Sequence, residues 1–324
     1  MNILIIGGAG YIGAHTAREF LDAGHKVTVY DNLSSGFEQN IFDDEDFVEG
    51  DVMDFIGLID LMRRGFDAVV YMAAFKSAGE SMLRPEKYAV NNIGGAIHVL
   101  NAAAESGIKY FIFSSSAAVY GDPQYLPVDE AHPLNPANFY GFTKLEMERI
   151  MGWYDKLKGL RYAALRYFNA AGYDLNLRVT GLERNPANLL PIIMETACGM
   201  RKEMEVFGED YDTKDGTCIR DYVHVTDLAR GHCAALETLV KTGTSFAVNL
   251  GGGSGISVLE MINAAKRITG KDIPYRVVER RPGDPAVLTA SCEKASALLG
   301  WSTLYSDVET LISSSWKMYS KFQK

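Results

Sequence analysis

The sequence of 324 residues predicts an α/β protein, with a doubly wound parallel sheet and a smaller α/β lobe behind it. Three observations lead there. In the first half, short apolar runs rich in β-branched residues alternate with amphipathic stretches of helical period. The first run leads straight into the glycine-rich stretch Gly7-Gly8-Ala9-Gly10-Tyr11-Ile12-Gly13. After about residue 175 the pattern loosens into shorter elements broken by Asn, Gly and Pro. Strands separated by helices of ten or more residues imply right-handed crossovers and parallel pairing.

Residues 2–6 form the first expected strand, and 12–23 carry helical periodicity that stops at Gly24. Further strands are expected at 26–30, 47–49, 68–72 and 110–114, with a long helix over 86–105 and another over 140–157. The breaks at 176–191, 208–217, 251–256 and 280–285 mark the second lobe. The spacing gives a nucleotide-binding unit over 1–175 and a lobe over 176–324. Within that lobe, 222–240 return to a strand-then-helix texture, so 220–250 are expected to rejoin the first sheet.

Composition narrows the partners. Hydrophobic residues are 47% and charged residues 23%, the balance of a globular chain able to bury its own core. A net charge of −9 argues against nucleic acid, which needs a basic surface. Cys198, Cys218, Cys233 and Cys292 are widely spaced, and the six histidines show no HExxH, so neither a disulfide frame nor a metal site is expected. The amino terminus reads as a buried strand and not a signal peptide, and no window is apolar enough for a membrane span. A cytoplasmic protein is expected.

The glycine stretch has chemical meaning. Gly7 permits a sharp turn, Gly10 lets backbone approach a pyrophosphate, and Gly13 lets the next helix lie close to the strand. Such spacing also occurs in structural turns. Its context favours a dinucleotide: it follows a strand, opens a helix, and is followed by a second strand ending at Asp31, 18 residues beyond Gly13. An acid there accepts both ribose hydroxyls and repels a 2′-phosphate. No Arg or Lys follows in Asn32-Leu33-Ser34-Ser35-Gly36, so the Rossmann-type fold is expected to hold NAD and not NADP.

A second constellation concerns hydride chemistry. The fifth strand ends in Ser114-Ser115-Ser116, where doubly wound sheets place ligands. Tyr140 and Lys144, four residues apart, share a helix face, so the ammonium can sit beside the phenol. A tyrosine acting as base near pH 7 needs its pKa lowered by roughly 3 units. A desolvated lysine together with a positive nicotinamide could supply that shift. Ser116 would hydrogen-bond the same substrate hydroxyl.

Taken in order, GGAGYIG (7–13), DNLSSG (31–36), GDV (50–52), FKSAGES (75–81), NN (91–92) and FIFSSSAAVYG (111–121) resemble the extended short-chain dehydrogenase/reductase family. The likeness continues with YGFTK (140–144), LRYFNAAG (165–172), NLLP (188–191), FGEDYDTKDGTCIRDYVHVTDLA (207–229), NLGGG (249–253) and RRPGDPA (280–286). It runs over nearly the whole chain and is most specific to the nucleotide-sugar 4-epimerases of that family. The resemblance implies NAD contacts from Gly7, Gly10, Tyr11, Ile12, Gly13, Asp31, Asn32, Leu33, Ser34, Ser35, Gly36, Asp51 and Val52. It adds Met72, Ala73, Ala74, Lys76, Asn92, Ser114, Tyr140, Lys144 and Phe168. For a UDP-sugar it implies Lys76, Ser116, Tyr140, Asn169, Asn188, Leu189, Phe207, Arg220, Tyr222, Arg281, Asp284 and Leu288. Arg220 and Arg281 suit a diphosphate by their planar, permanently charged forks; Asn169 and Asn188 would also serve as turn caps, and Phe207 as core.

The activity implied is interconversion of UDP-galactose and UDP-glucose. Tyr140, aided by Ser116 and Lys144, would take the 4′-OH proton while C4 passes hydride to tightly held NAD, and a transient 4-keto sugar would turn and take the hydride back. A homodimer through the helices at 86–105 and 140–157 is also implied. Two departures stand out. Ala118 replaces a threonine common in relatives, and Leu288 occupies the sugar-pocket position where relatives carry Tyr, Cys or Ser. Leucine is intermediate in size, which leaves UDP-N-acetylglucosamine, UDP-glucuronate or a UDP-pentose open as substrates. Dehydratases of the family need an acid and a base where this chain has Ala117 and Ala118. A non-catalytic NAD(H) sensor of this fold would usually lack the Tyr or Lys present here.

Overall fold

The computed structural model describes residues 1–183, 186–281 and 284–323, so Pro282 and Gly283 of the RRPGDPA stretch lie outside the described residues. The chain opens with β1 (Asn2–Ile6), α1 (Tyr11–Asp22), β2 (Lys26–Asp31), β3 (Asp46–Glu49), α2 (Phe55–Met62) and β4 (Ala68–Tyr71). Two short helices, α3 (Ala78–Leu83) and α4 (Pro85–Tyr88), lead through a π-helical segment (Ala89–Gly95) into α5 (Ala96–Glu105). The expected single helix over 86–105 is therefore continuous in helical character, with a wider turn in its middle. Next come β5 (Tyr110–Ser116), α6 (Phe139–Lys158), β6 (Arg161–Tyr167) and β7 (Asn169–Ala171). β5 runs two residues beyond expectation, because Ser115 and Ser116 stay in register with Arg166 and Tyr167.

The second half contains α7 (Leu189–Ala197), β8 (Met204–Phe207), β9 (Ile219–His224), α8 (Val225–Thr242) and β10 (Phe246–Leu250). It closes with β11 (Gly255–Ser257), α9 (Val258–Thr269), β12 (Tyr275–Val278), β13 (Val287–Leu288), α10 (Glu293–Leu299) and α11 (Val308–Tyr319). Seven strands make the main sheet in the order β10-β6-β5-β4-β1-β2-β3, with every pairing parallel. The strand order reverses between β1 and β4, the point at which doubly wound sheets open a ligand crevice. The stretch over 220–250 divides in an unexpected way. β9 pairs with β7, β11 and β13 outside the main sheet, while α8 and β10 return to it. The alternation in 222–224 showed a strand but carried no information about which sheet would accept it.

Alternation along β1 explains the layering. Leu4 and Ile6 pack on one face with Leu58, Met62, Leu100, Met147 and Met151 from α2, α5 and α6. Ile3 and Ile5 pack on the other with Phe20, Leu228, Leu236 and Leu239 from α1 and α8. Because both faces are covered, β1 reads as an unbroken apolar run. Each such side chain contributes about 1.5–3 kcal/mol on burial. A separate core of the second lobe joins Leu190, Met194, Val206, Met261, Ile262 and Leu311.

Two helix starts matter for the site. Asn138 caps α6 by accepting from the Gly141 N–H at 2.9 Å, which fixes where Tyr140 begins its turn. At α1 no side chain caps the first turn, and Gly10 holds that place. Gly13 cannot be replaced there, since a Cβ would collide with the Gly7 carbonyl oxygen.

Candidate functional site

The glycine loop forms one wall of a long cleft at the carboxyl edge of the sheet. Gly7 has φ +85°, and a Cβ on it would meet the Ala73 nitrogen at 2.7 Å, so this turn abuts the loop after β4. Gly10 is different: a Cβ there would meet only the Gly7 oxygen, at 3.4 Å, and its outer side is open. An uncapped helix start beside open backbone is a ready anion cradle. One compartment of about 410 Å³ is lined by Gly7, Gly10, Tyr11, Ile12, Gly13, Met72–Ser77, Ser114 and Asn188. It is continuous through Asp31, Ser35 and Ala73 with a second of about 520 Å³, lined by Asn32, Ser34, Asp51, Val52, Arg84 and Lys87.

Asp31 is buried at the junction, where its oxygens accept from the Ala9 and Leu33 N–H groups at 3.0 and 2.8 Å. Burial raises its pKa, and these two bonds oppose the rise. The two cations lining the larger compartment are already engaged, Lys87 with Glu80 at 2.7 Å and Arg84 with Glu86 at 3.5 Å. The residues present therefore suit a dinucleotide whose ribose carries free hydroxyls.

Not every expected cofactor contact lines this cleft. Asn92 is buried in the π-helical segment, where its amide pairs with both the N–H and C=O of Phe75 at 2.9 Å and with Thr143 at 3.3 Å. It ties the loop after β4 to α6. Gly36 packs against Ala9, and Leu33 takes a positive φ of 55° at the turn after β2. Lys76 reaches across the cleft to Glu183 of the second lobe at 2.6 Å. Glu183 had no signal in the sequence, since it stands in an irregular stretch and acquires meaning only through this crossing.

The hydroxyl chemistry gathers at the end of β5. Ser116 accepts from the Ala118 N–H at 3.2 Å and is hydrogen-bonded to the Tyr140 phenol. Lys144 is buried, with Nζ 5.8 Å from the Tyr140 ring centre. Its nearest partner is not the phenol but the Ser114 carbonyl, at 2.7 Å. This changes the expected electrostatics: burial raises the Tyr140 pKa and only the Ser116 bond opposes it. The lysine is itself pushed down to about 7 by burial, with Glu148 acting against the fall.

The lysine shift has a measurable consequence. Lys144 has a folded pKa below its unfolded value, so the unfolded chain binds more protons between about pH 7 and about 10.5. In ligand-free protein, stability should rise with pH across that window. Urea denaturation of Lys144→Met should show a flatter profile over the same range; an unchanged slope would reject the buried-lysine assignment.

Beside Ser116 lies a cavity of about 270 Å³ lined by Ala117, Ala118, Tyr167, Phe168, Asn169, Arg220, Asp284 and Leu288. Leu288 reaches it because β13 pairs with Ile219 and Arg220 of β9. Tyr167 was not singled out from the sequence, although its register opposite Ser116 follows once β5 and β6 pair. Through Asn169, Arg220 and Asp284 this cavity meets another of about 190 Å³, which holds Asn188, Leu189, Phe207, Tyr222 and Arg281. Arg281 lies over the Phe207 ring at 3.8 Å, and Arg220 pairs with Asp284 at 3.0 Å. Asn188 occupies the cap position of α7 but makes no side-chain cap bond, whereas the Asn169 amide donates to the Asp221 carbonyl at 2.8 Å. A cationic fork, an aromatic face and amide groups thus converge at the far end. Among the described residues no cluster of His, Cys, Asp and Glu could hold a metal.

Comparison with known proteins follows the same lines. Residues 3–251 match the NAD dependent epimerase/dehydratase family. A UDP-glucose 4-epimerase of Lacticaseibacillus casei is 44% identical over 321 residues, covering 98% of this chain and 97% of that protein. The crystal structure of UDP-glucose 4-epimerase from Brucella ovis in complex with NAD superposes with a TM-score of 0.96 at 43% identity, covering 98% of each chain. A UDP-glucose 4-epimerase from Stenotrophomonas maltophila, with bound NAD and formylated UDP-arabinopyranose, gives 0.95 at 38% identity over 99% of this chain and 98% of that one. The chain belongs to the NAD dependent epimerase/dehydratase family.

Proposed function

We propose that the chain is an isomerase, an NAD-dependent UDP-sugar 4-epimerase that interconverts UDP-galactose and UDP-glucose. The observation that carries this reading is one continuous tract. It runs from the glycine loop through Ala187 and Asn188 to the chamber of Phe207, Arg220 and Arg281. From there it passes through Asn169, Arg220 and Asp284 to the cavity beside Ser116, whose hydroxyl meets the Tyr140 phenol. Full-length likeness to UDP-glucose 4-epimerases, some crystallised with NAD, supports it. When bound, NAD supplies the hydride acceptor for C4 and the positive ring charge near the phenol.

The chain's own residues then divide the work. Arg220 and Arg281 hold the diphosphate, and Phe207 and Asn188 the rest of the UDP handle. Tyr140 takes the proton from the 4′-OH, Ser116 stabilises the phenol oxygen, and Lys144 places its charge beside the ring. Binding concentrated in the nucleotide leaves the hexose weakly held, which its rotation requires. Ala117 and Ala118 line the sugar cavity with methyl groups, so neither moves a proton in an elimination.

Purified protein should contain NAD and convert UDP-galactose into UDP-glucose without added reductant, followed by chromatography. Turnover of UDP-glucuronate, with none of that pair, would overturn the substrate assignment. Asp31→Ala should lose cofactor during gel filtration, with affinity down by about tenfold or more, since hydrogen bonds to a carboxylate contribute about 1.5–3 kcal/mol each. Undiminished retention would remove Asp31 from the ribose site.

The chain is further proposed to act as a cytoplasmic homodimer. Its four cysteines are free, and no helix among the described residues is long and apolar enough to cross a membrane. α5 and α6 lie together through the Tyr154–Asn101 bond of 2.6 Å, and Trp153 and Leu157 stand exposed on α6. Trp153→Glu should then sediment as a monomer where the parent sediments as a dimer.

A further inference from the structure

Behind the redox site runs a buried hydrogen-bond chain whose direction can be worked out atom by atom. His232 of α8 has its Nδ1 2.8 Å from the Leu228 carbonyl and its Nε2 2.5 Å from the Tyr167 hydroxyl. That hydroxyl in turn lies 2.5 Å from Ser114 Oγ. All three side chains are buried. A carbonyl can only accept, so Nδ1 must carry the proton. Burial pushes the imidazole pKa down to about 4, which keeps the ring neutral and leaves Nε2 bare. Tyr167 must therefore donate to His232, and its oxygen then accepts from Ser114. The Ser114 hydrogen is thereby committed inward.

The consequence appears at the cleft. Ser114 lines the cofactor compartment, and its carbonyl is the partner of Lys144 Nζ at 2.7 Å. β5 alternates, so the Ser114 side chain points to the α8 face, while Lys144 approaches from α6 on the other face. One residue thus joins the two sides of the sheet beneath Tyr140. We propose that His232 is a positioning residue of the redox site, acting through Tyr167 to fix the hydrogen-bond direction so that Ser114 offers only lone pairs to the cofactor. A ligand group meeting Ser114 must then be a donor, such as an amide NH₂ or a hydroxyl. Without the histidine acceptor, Tyr167 is free to donate to Ser114, and Ser114 turns its hydrogen into the cleft.

This inference rests on the proposed function, and its test is built to fail separately. His232→Leu, His232→Gln, Tyr167→Phe and the Leu/Phe double variant are compared with the parent. Three quantities are read: NAD retained per chain after gel filtration, kcat and KM for UDP-galactose, and Tm. Glutamine restores an acceptor near Nε2, so it controls for packing. Losing one buried hydrogen-bond direction should lower kcat by about tenfold in His232→Leu and Tyr167→Phe and reduce NAD retention, with KM within about twofold. His232→Gln should recover most of both, and the double variant should be no worse than the poorer single one, as for groups in one chain. Parent-like kcat and NAD retention in His232→Leu, whatever its Tm, would overturn the proposal. So would glutamine performing no better than leucine, or losses that multiply in the double variant. If His232→Leu does not fold, the glutamine and phenylalanine variants still decide. An inactive parent would defeat the functional reading alone, because the order of NAD retention would still test His232.

Discussion

Replacing Tyr140 with phenylalanine should lower turnover by about 10²–10⁴-fold, the usual contribution of a positioned acid or base. The substitution removes one oxygen, bonded to Ser116, and keeps the ring that packs below Lys144. UDP affinity should stay within about twofold, because the residues proposed to hold the nucleotide, Arg220, Phe207 and Arg281, line a neighbouring compartment. Steady-state kinetics with UDP titration calorimetry separate the two. Near-normal turnover would mean that another group takes the proton. The size of the loss also reports on the cofactor. Within the protein alone burial raises the phenol's pKa and only the Ser116 bond opposes it, so its activation depends on the positive charge that bound NAD would bring to the site.

Replacing Arg166 with methionine should destabilise the fold by about 3–5 kcal/mol, the effect of breaking a buried ion pair from one side. Arg166 meets Glu148 through Nε at 3.1 Å and Nη2 at 2.6 Å, and both side chains are under a tenth exposed. Its remaining nitrogen donates to the Tyr120 hydroxyl at 3.0 Å, and that hydroxyl donates to Asn249 at 2.6 Å. Ser115 also donates to Glu148. Methionine would leave the Glu148 carboxylate buried with the Ser115 hydroxyl and no bonded cation, the charge of Lys144 acting on it only from a distance. The double variant Arg166→Met/Glu148→Met removes the stranded charge and should recover much of the loss. Because Ser115 and Arg166 directly precede Ser116 and Tyr167, the single variant should lose kcat as well. Urea denaturation checks the energies; a loss below about 1 kcal/mol would show that water or a rearranged partner reaches Glu148.

The nucleotide half was legible because its rules are local. Gly7 to Gly13 and Asp31 occupy a strand–turn–helix–strand unit whose spacing fixes their positions before any packing is known. Ser116, Tyr140 and Lys144 could be brought together because a strand end and a four-residue helix step each have one geometry. What stayed hidden depended on long-range pairing. Whether β9 joined the main sheet could not be read from 222–224, since alternation shows a strand but not its neighbour. The direction of Lys144 toward the Ser114 carbonyl required the separation of α6 from β5, which packing decides. Tyr167 and His232 are 65 residues apart and meet only because α8 returns across the sheet beside β6. The pocket proposed for UDP lies between. Its arginines suggest a diphosphate by their chemistry, whereas residue type alone leaves Phe207 as core, and its contact with Arg281 depends on packing.

The central claim is that C4 of a UDP-hexose gives up hydride and takes the same hydride back within one enzyme turnover. Its most direct test is deuterium placed at C4 of UDP-galactose, followed by mass spectrometry and NMR of the UDP-glucose formed in ordinary water. Retention of the label at C4, with no solvent hydrogen there, is the predicted result. Loss of the label to water would mean proton abstraction from carbon, and would contradict the account.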